Sequence, residues 1–356
     1  MENIEIKIEE KKKEKKKKNI KDLTFLELND YFCKKYNQKF RGKQVFKWLS
    51  LGVTSFSDMT DISKKMALEL EEDFYISQLK VIKRAKSKDG TVKFLYELED
   101  GNTLETVLMS YKHGMSICIS TQVGCNMGCR FCASTVGGKV RDLSAGEILD
   151  QVIFTAKNEN VRISNIVLMG IGEPLDNYDE VLKFLKNVND ENGLNIGYRH
   201  ISLSTCGIID KIDKLKEEKI PLTLSLSLHA PNDEIRRSVM PVARKYPYDE
   251  LIACVKRYIK TTTRRVSFEY TLIDGVNDTP ACAAELAGKL KGMLCHVNLI
   301  PVNPARKKMA PSDLRKIKAF VDILTKNGIN ATVRRTLGQD IDAACGQLRQ
   351  KNQQEK

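Results

Sequence analysis

The sequence lacks long apolar runs and holds few tryptophans and histidines. No stretch approaches the roughly 18–20 apolar residues that a membrane-spanning helix needs, and the lysine-rich start lacks the apolar core of a secretory signal peptide. These absences predict a cytoplasmic protein without membrane spans. The 356 residues include one tryptophan, four histidines and ten cysteines. Ten cysteines without an export signal favour metal or redox chemistry over a disulfide scaffold.

Three of the cysteines form a short motif that lacks a fourth ligand. Cys125, Cys129 and Cys132 have the spacing C-x3-C-x2-C, and no nearby cysteine or histidine completes a tetrahedron. A structural zinc site needs four protein ligands. Three thiolates on one loop suit three irons of a cubane [4Fe–4S] cluster and leave the fourth iron open to a small chelating molecule. The alternative, three inert buried thiols, is disfavoured by the spacing.

The net charge of +13 favours a polyanionic partner. Part of this charge belongs to a lysine-rich tail, residues 1–20, which we expect to be disordered. Phosphate neutralisation needs cations spread along a surface, so pairs and triplets of cations elsewhere indicate RNA or DNA. A merely well-solvated surface is the alternative. The cations in question are Arg236-Arg237, Arg264-Arg265, Arg306-Lys307-Lys308 and Arg334-Arg335.

The rest of the chain divides into two predicted regions and a short tail. Residues 21–100 combine amphipathic helical patterns (23–36, 43–51 and 62–74) with a hairpin pattern (80–87 and 92–97), and we expect a small accessory domain there. Residues 101–346 are predicted to form the catalytic domain. Residues 347–356 are predicted to be a polar tail.

From residue 101 short apolar strands alternate with amphipathic helices, which predicts an α/β fold with a parallel sheet and helices outside it. Six β/α units fit an incomplete (β/α)6 barrel better than a full eight-unit barrel. A doubly wound open sheet is the alternative, and the absence of G-x-G-x-x-G after the first strand weighs against it. The predicted strands are 116–123, 163–169, 200–204, 222–228, 266–272, 297–301 and 331–335. The predicted helices are 145–157, 178–189, 208–219, 248–262, 280–291 and 312–327.

Polar residues follow most of these predicted strands. The working groups of α/β barrels lie at the carboxyl ends of the strands, so we expect these residues to converge on one site. Glu173 offers a carboxylate for an ammonium group, although a Gly-Glu-Pro turn is by itself an ordinary loop and a lone His229 is by itself more often structural. The residues concerned are the cysteine loop, Gly172-Glu173-Pro174, Ser204, Ser227-Leu228-His229 and Asn303-Pro304.

Two further cysteines stand apart from the motif. Cys118 precedes it on the first predicted strand, and Cys345 lies in a polar, glycine-containing segment near residue 346. Either thiol is compatible with an inert core position. The polar surroundings of Cys345 favour an accessible thiol, for which nucleophilic or redox use is more plausible. The remaining five cysteines are interpreted as structural.

Taken together, these motifs resemble the radical S-adenosylmethionine (SAM) RNA methylase family that modifies adenosine, which includes the RlmN and Cfr enzymes. The resemblance covers roughly residues 20–350. The matching segments are residues 104–108, 118–132, 169–174, 227–232, 298–304 and 340–348.

The resemblance implies a role for each candidate residue. It implies one [4Fe–4S] cluster held by Cys125, Cys129 and Cys132, and two SAM molecules per turnover. Cys345 is implied to become S-methylcysteine and to form an adduct with adenine, Glu105 to accept a proton, and Cys118 to release the product through a disulfide with Cys345. The residues implied to line the SAM pocket are Gly172, Glu173, Ser204, Ser227, Leu228, His229 and Asn303.

The same resemblance implies the substrates and partners. They are an adenosine of 23S ribosomal RNA and an adenosine of tRNA, methylated at carbon 2, with a low-potential electron donor of the flavodoxin or ferredoxin type and a monomeric enzyme. Methylation of carbon 8, as in Cfr, is the alternative, and the Gly-Glu-Pro tract favours carbon 2. Two other hypotheses remain at this point: a radical SAM enzyme with a non-RNA substrate, and a non-enzymatic, metal-stabilised RNA-binding protein.

Overall fold

The N-terminal part of the protein is a small helical unit with its own apolar core. The computed structural model describes residues 17–303 and 309–349. The elements of this unit are β1 (Lys18–Asn19), α1 (Phe25–Tyr36), α2 (Lys39–Ser50), α3 (Lys64–Asp73) and β2 (Phe74–Tyr75). β1 pairs with β2 in parallel, and Ile20 is fully buried. The predicted tail is therefore wrong for residues 18–20, because burial of Ile20 ties them into this core; residues 1–16 lie outside the described residues.

A ten-stranded sheet, a separate two-stranded sheet of β7 and β8, and seven α-helices form the remainder of the described chain. The strands are β3 (Lys80–Lys86), β4 (Val92–Glu97), β5 (Thr103–Tyr111), β6 (Gly114–Cys118), β7 (Gln122–Gly124), β8 (Lys139–Asp142), β9 (Ile163–Leu168), β10 (Ile201–Thr205), β11 (Thr223–Ser227), β12 (Val266–Leu272), β13 (Cys295–Pro301) and β14 (Ala331–Val333). The helices are α4 (Ala145–Glu159), α5 (Tyr178–Asn189), α6 (Ile209–Glu217), α7 (Asp233–Val239), α8 (Tyr248–Thr262), α9 (Pro280–Leu290) and α10 (Leu314–Lys326).

The sheet runs in the order β14-β13-β12-β11-β10-β9-β6-β5-β4-β3. Its strands pair in parallel from β6 to β14 and antiparallel from β3 to β6. The six predicted β/α units and the α/β class are confirmed. Hydrogen bonds between β4 and β5 cross the predicted boundary at residue 100, while the division into domains stays a prediction.

Alternation along the strands sets the two faces of the sheet. In β11, Leu224 and Leu226 are fully buried in the main core, whereas Ser225 and Ser227 lie on the opposite face. Side chains of β9 to β13 share one cavity of about 710 Å³ on that opposite face. A partial barrel would also place these side chains on one inner face, and closure of the strands into a barrel stays a prediction.

One predicted strand is divided in the structure. Residues 116–123 form β6 and then β7, which leaves the main sheet to pair with β8. The cause is Gln151, whose side chain accepts a hydrogen bond from the Ser120 N–H and donates one to the Ser120 carbonyl oxygen, both at 2.8 Å. These bonds replace strand-to-strand pairing at Ser120, so the chain turns away toward the cysteine loop.

The N-terminal unit is joined to the sheet domain by a buried ion pair. Lys21 Nζ pairs with Asp150 of α4, and both side chains are completely buried. Ser77 Oγ donates to the second oxygen of Asp150, and Lys21 also donates to the Ser77 carbonyl oxygen at 2.9 Å. Among residues 17–303 and 309–349, no helix is both long and apolar enough to cross a membrane.

Candidate active site

A cavity of about 940 Å³, partly open to solvent, lies at the carboxyl ends of the parallel strands. It brings together most of the predicted site residues. Those that line it are Cys125, Cys129, Cys132, Gly172, Glu173, Ser204, Ser227, His229, Asn303 and Cys345. Leu228 does not line it, because its side chain is fully buried in the core and only its backbone N–H reaches across, to the Glu269 carbonyl oxygen at 3.0 Å.

The loop that carries the three cysteines follows β7 and depends on a glycine at its start. Gly124 has a φ of 75°, and a Cβ there would lie 1.9 Å from the Gly138 carbonyl oxygen. The Cys125 N–H donates to that same oxygen at 3.1 Å. A residue with a side chain would therefore push the two arms of the loop apart and move Cys125.

The thiols of this loop need a positive partner in order to ionise. Burial raises the pKa of the Cys125 thiol to about 12, and the neighbouring Cys132 raises it further. Burial also raises the pKa of Cys129, as do Cys132 and Cys125, while Arg236 opposes that rise. Metal binding would offset the cost because a coordinating thiol is deprotonated by the metal's charge.

Arg236 tests whether the loop fits an anionic iron–sulfur cluster. Its side chain is completely buried, and its Nε has no hydrogen-bond acceptor within the described part of the chain. A buried cation without a counter-charge is costly, and a cluster on three thiolates would supply the negative charge. The residues therefore fit the cluster. No three His, Cys, Asp or Glu side chains within residues 17–303 and 309–349 form a site for a single metal ion.

Glu173 ties two of the strand-end loops together. One carboxylate oxygen accepts the Cys206 N–H at 2.7 Å, and the other accepts the Leu175 N–H at 3.0 Å. Burial raises the pKa of Glu173, while these hydrogen bonds oppose the rise. Gly172 has a φ of 107°, and a Cβ there would lie 2.7 Å from the Gln122 side chain.

His229 is a neutral imidazole in the cavity wall. Its Nδ1 accepts the Thr271 N–H at 2.9 Å, which leaves the ring proton on Nε2. Burial, and then the positive charge of Arg236, lowers the pKa of His229 to about 3. The Phe131 ring of the cysteine loop meets the imidazole edge-on, with 4.8 Å between ring centroids. His229 therefore offers an N–H group in the cavity and no charge.

The segment that carries Cys345 is docked on two sides of the cavity. Asn303 Nδ2 donates to the Cys345 carbonyl oxygen at 2.9 Å, and the Ala133 N–H donates to the Gly346 carbonyl oxygen at 2.7 Å. Ser134 Oγ donates to the Leu348 carbonyl oxygen at 2.6 Å, and Leu348 is buried. The predicted polar tail is thus wrong for residues 347–349, because Leu348 packs there in an apolar cluster.

A second cavity of about 520 Å³ adjoins the first, and Cys118 and Cys345 both line it. Both are free thiols, so the predicted disulfide is not formed in this structure. Burial raises the pKa of Cys118 to about 12, Cys345 adds to the rise, and Arg334 opposes it. The structure therefore brings together two cysteines that are far apart in the sequence.

Glu105 lies outside both cavities but near the second. It is almost fully buried on β5, where Lys93 Nζ lies 3.1 Å from one oxygen and the Arg349 N–H donates to the other at 2.8 Å. Val107 lies two residues further along the same strand, on the same face, and it lines the second cavity opposite Cys118. Glu105 is therefore a paired carboxylate beside the two cysteines.

Comparison with known proteins shows the family to which the chain belongs. Residues 119–285 match the model of the Radical SAM superfamily, and residues 18–76 match that of the ribosomal RNA large subunit methyltransferase N-terminal domain. Proteins from Clostridium novyi (strain NT) and Clostridium tetani (strain Massachusetts / E88), each named "Probable dual-specificity RNA methyltransferase RlmN", are both 54% identical to this chain. The alignments cover 93% and 94% of this chain and 98% and 96% of theirs. The chain belongs to the RlmN family.

A solved structure supports the fold of this RlmN-family chain. A radical SAM methyltransferase from Sphaerobacter thermophilus is 42% identical to it, with a TM-score of 0.88. The similarity covers 93% of this chain and 99% of that one. The fold is thus shared over nearly the full length of both proteins.

Sequence reasoning missed several residues of the site in this RlmN-family chain, among them Glu269, Arg334 and Cys206. Glu269 lines the main cavity, accepts a hydrogen bond from Asn298 Nδ2 at 2.7 Å and lies 3.9 Å from Arg334. Arg334 lines both cavities, and Cys206 lines the main one. Glu269 had a usable signal, since it is a carboxylate within an apolar strand. Cys206 had none.

The predicted surface cations divide into two groups. Arg236 is fully buried and Arg334 lines the cavities, so interpreting these two as surface cations was wrong. The reason is orientation, because adjacent residues on a helix or strand face different directions. Arg237 and Arg265 are exposed as expected. Arg306, Lys307 and Lys308 lie outside the described residues.

Proposed function

We propose that this protein is a radical SAM methyltransferase that methylates carbon 2 of adenosine in 23S ribosomal RNA and tRNA. The observation that carries the proposal is the position of Cys345, which lines the cavity of the three motif cysteines and also the cavity of Cys118. A methyl carrier must reach both the place where the radical is generated and the thiol that releases product. Membership of the RlmN family supports RNA as the substrate.

The motif cysteines and the cavity wall would bind different cofactors. Cys125, Cys129 and Cys132 would hold one [4Fe–4S] cluster, and SAM would bind in the space lined by Gly172, Ser204, Ser227, His229 and Asn303. When bound, cluster and SAM supply radical chemistry for an aromatic C–H that has no useful acidity. Two SAM molecules are used per turnover, one as the methyl source and one for the radical. Glu173 contributes mainly by fixing the loops, since both its oxygens already accept backbone N–H groups.

Cys345 carries the methyl carbon, and Cys118 and Glu105 complete the transfer. For the carbon of S-methylated Cys345 to join adenine, the methyl group must lose one hydrogen atom, which the radical from the second SAM would take. Carbon 2 must lose a proton, which Glu105 accepts, and one electron, which would return to the cluster. Cys118 then loses its proton and attacks the Cys345 sulfur, so that the sulfur–carbon bond breaks. The electron pair of the broken sulfur–carbon bond goes to the carbon, which takes up a proton to become the methyl group. The resulting disulfide is reopened by a thiol reductant.

The partners follow from charge and chemistry. A net charge of +13 suits RNA, and the target base must leave its stack to reach a cavity at the strand ends. We further propose a low-potential donor of the flavodoxin or ferredoxin type, a monomeric enzyme and a cytoplasmic location.

Mass spectrometry of nucleosides tests the proposal. Ribosomal RNA and tRNA from cells without this activity would be incubated anaerobically with reconstituted protein, SAM and reductant, and then digested. We expect 2-methyladenosine in both RNAs. Methyl at carbon 8 would establish the Cfr-type alternative. Methyl on neither RNA, from protein with an intact cluster that cleaves SAM, would indicate a non-RNA substrate.

A further inference from the structure

Arg236 is a buried guanidinium without a carboxylate in ion-pair contact among the described residues. Its side chain is completely buried in α7. Within residues 17–303 and 309–349, no Asp or Glu oxygen lies within 4.0 Å of its nitrogens. The next residue, Arg237, behaves differently: its side chain is half exposed and lies 3.6 Å from Asp233. Two adjacent arginines on one short helix therefore have opposite environments.

The hydrogen bonds of Arg236 do not compensate its charge. Its two terminal nitrogens donate to the carbonyl oxygens of Cys206 at 2.6 Å and Tyr246 at 3.3 Å. Its Nε has no acceptor among the residues described. Neutral carbonyls supply only dipoles, whereas a full charge loses much of its favourable hydration when it is buried. A further anionic group is needed to make this position favourable.

The cysteine loop lies directly against the same helix. The Arg130 N–H donates to the carbonyl oxygen of Val239, the last residue of α7, at 2.9 Å. A Cβ on Gly128 would lie 3.3 Å from Pro241, which follows α7. The guanidinium is also close enough to oppose the rise in the pKa of Cys129, which is due first to burial. The unpaired guanidinium and the three thiols thus lie on segments that contact each other.

We infer that Arg236 is the buried cationic partner of the [4Fe–4S] cluster and that it raises the cluster's reduction potential. This inference rests on the proposed function. Three thiolates leave the oxidised cluster with a net negative charge, and the one electron taken from an external low-potential donor adds another. A fixed cation in a medium of low dielectric stabilises the reduced form more than the oxidised form. Arginine is suited to this position because it does not lose its proton.

Redox titration of the reconstituted cluster tests the inference without RNA or turnover. Anaerobic titration with dithionite and mediators, followed by electron paramagnetic resonance, would compare the wild type with Arg236→Met, Arg236→Lys and Arg237→Met. For Arg236→Met we expect the ratio of reduced to oxidised cluster to fall about tenfold at a given potential, which is about 59 mV for one electron. Arg236→Lys should restore most of the loss. Arg237→Met, which removes the same charge at the surface, should match the wild type.

Stability of the cluster-free protein separates this role from a merely structural one. Replacing an uncompensated buried charge with a hydrophobic residue of similar length removes the desolvation penalty of that charge. We therefore expect cluster-free Arg236→Met to unfold at the same urea concentration as the cluster-free wild type, or higher. A lower midpoint, or an unchanged reduction potential, would overturn the inference and leave the proposed function intact. A wild-type protein that assembles no brown iron–sulfur chromophore would overturn both.

Discussion

Asn303 holds the backbone of Cys345 through a hydrogen bond of 2.9 Å from its Nδ2 to the Cys345 carbonyl oxygen. Asn303 follows the last residues of β13, so the bond joins the end of a central strand to a segment 42 residues further along the chain. It leaves the Cys345 thiol free of this anchor. The proposed role of Cys345, to carry a carbon atom between two cavities, needs a fixed backbone and a sulfur atom that is free to react.

Cys345→Ala should abolish methyl transfer to RNA. The variant removes the carrier sulfur but leaves the cysteine loop, and its cluster absorbance should match that of the wild type. Mass spectrometry of the RNA is the measurement. Cys33→Ala is the control, because Cys33 is an exposed thiol in α1, outside both cavities. RNA methylated at full rate by Cys345→Ala would contradict the proposed mechanism.

Cys118→Ala should form the adduct between protein and RNA but fail to release it. Cys118 lines the second cavity with Cys345 and is the thiol placed to attack its sulfur. A labelled RNA would then migrate with the protein on a denaturing gel, at a level many times that of the wild type. The double variant Cys118→Ala with Cys345→Ala is the matched control and should trap nothing. Equal release from Cys118→Ala and the wild type would exclude the assigned role.

His229→Asn should make stability less sensitive to acid. Burial lowers the pKa of His229 to about 3, against about 6.5 in the unfolded chain. Between these values only the unfolded state binds the proton, so folding stability falls as the pH drops from about 6.5 toward 3, by about 1.4 kcal/mol per unit. Asparagine does not titrate and tolerates the φ of 55° at this position.

Urea denaturation of both proteins at pH 7 and pH 5 measures this difference. The wild type should lose roughly 2 kcal/mol more than His229→Asn between the two pH values, on the same linkage argument. Other titrating groups cancel because they are common to both proteins. Parallel losses would show that His229 becomes charged in the folded state.

Lys21→Met should destabilise the protein by about 3–5 kcal/mol, because it leaves the carboxylate of Asp150 buried and unpaired. Urea denaturation monitored at Trp48, within the N-terminal unit, is the measurement. Lys18→Met is the control, since Lys18 is exposed on the neighbouring strand β1. The double variant Lys21→Met with Asp150→Leu should recover much of the loss. A loss below 1 kcal/mol in Lys21→Met would show that the pair does not hold the two units together.

The alternation of strands and helices was predictable because each central strand is an apolar run that ends in polar residues. That pattern follows from burial, which sequence records directly. The cysteine loop was predictable for a similar reason, because its ligands are local. The main cavity was thus largely foreseeable, from Cys125 to Asn303.

Orientation was not predictable to the same degree. Arg236 and Arg237 are adjacent and chemically identical, yet one is completely buried and the other half exposed. Only the contacts of α7 decide which one turns inward. The strand break at Ser120 is similar, because it depends on Gln151, a residue 31 positions away whose hydrogen bonds no local pattern announces.

The antiparallel edge of the sheet receives the segment that leads to Cys345. Asp89 Oδ2 accepts the Gly338 N–H at 2.8 Å, Ser87 Oγ donates to Asp340 at 2.6 Å, and Lys93 Nζ donates to the Asp342 carbonyl oxygen at 3.0 Å. These contacts span about 250 positions of sequence. During synthesis the hairpin of β3 and β4 leaves the ribosome long before its partner exists, so closing the active site is a late step with a high loop-closure cost. A nascent chain therefore has the cysteine loop well before it has Cys345.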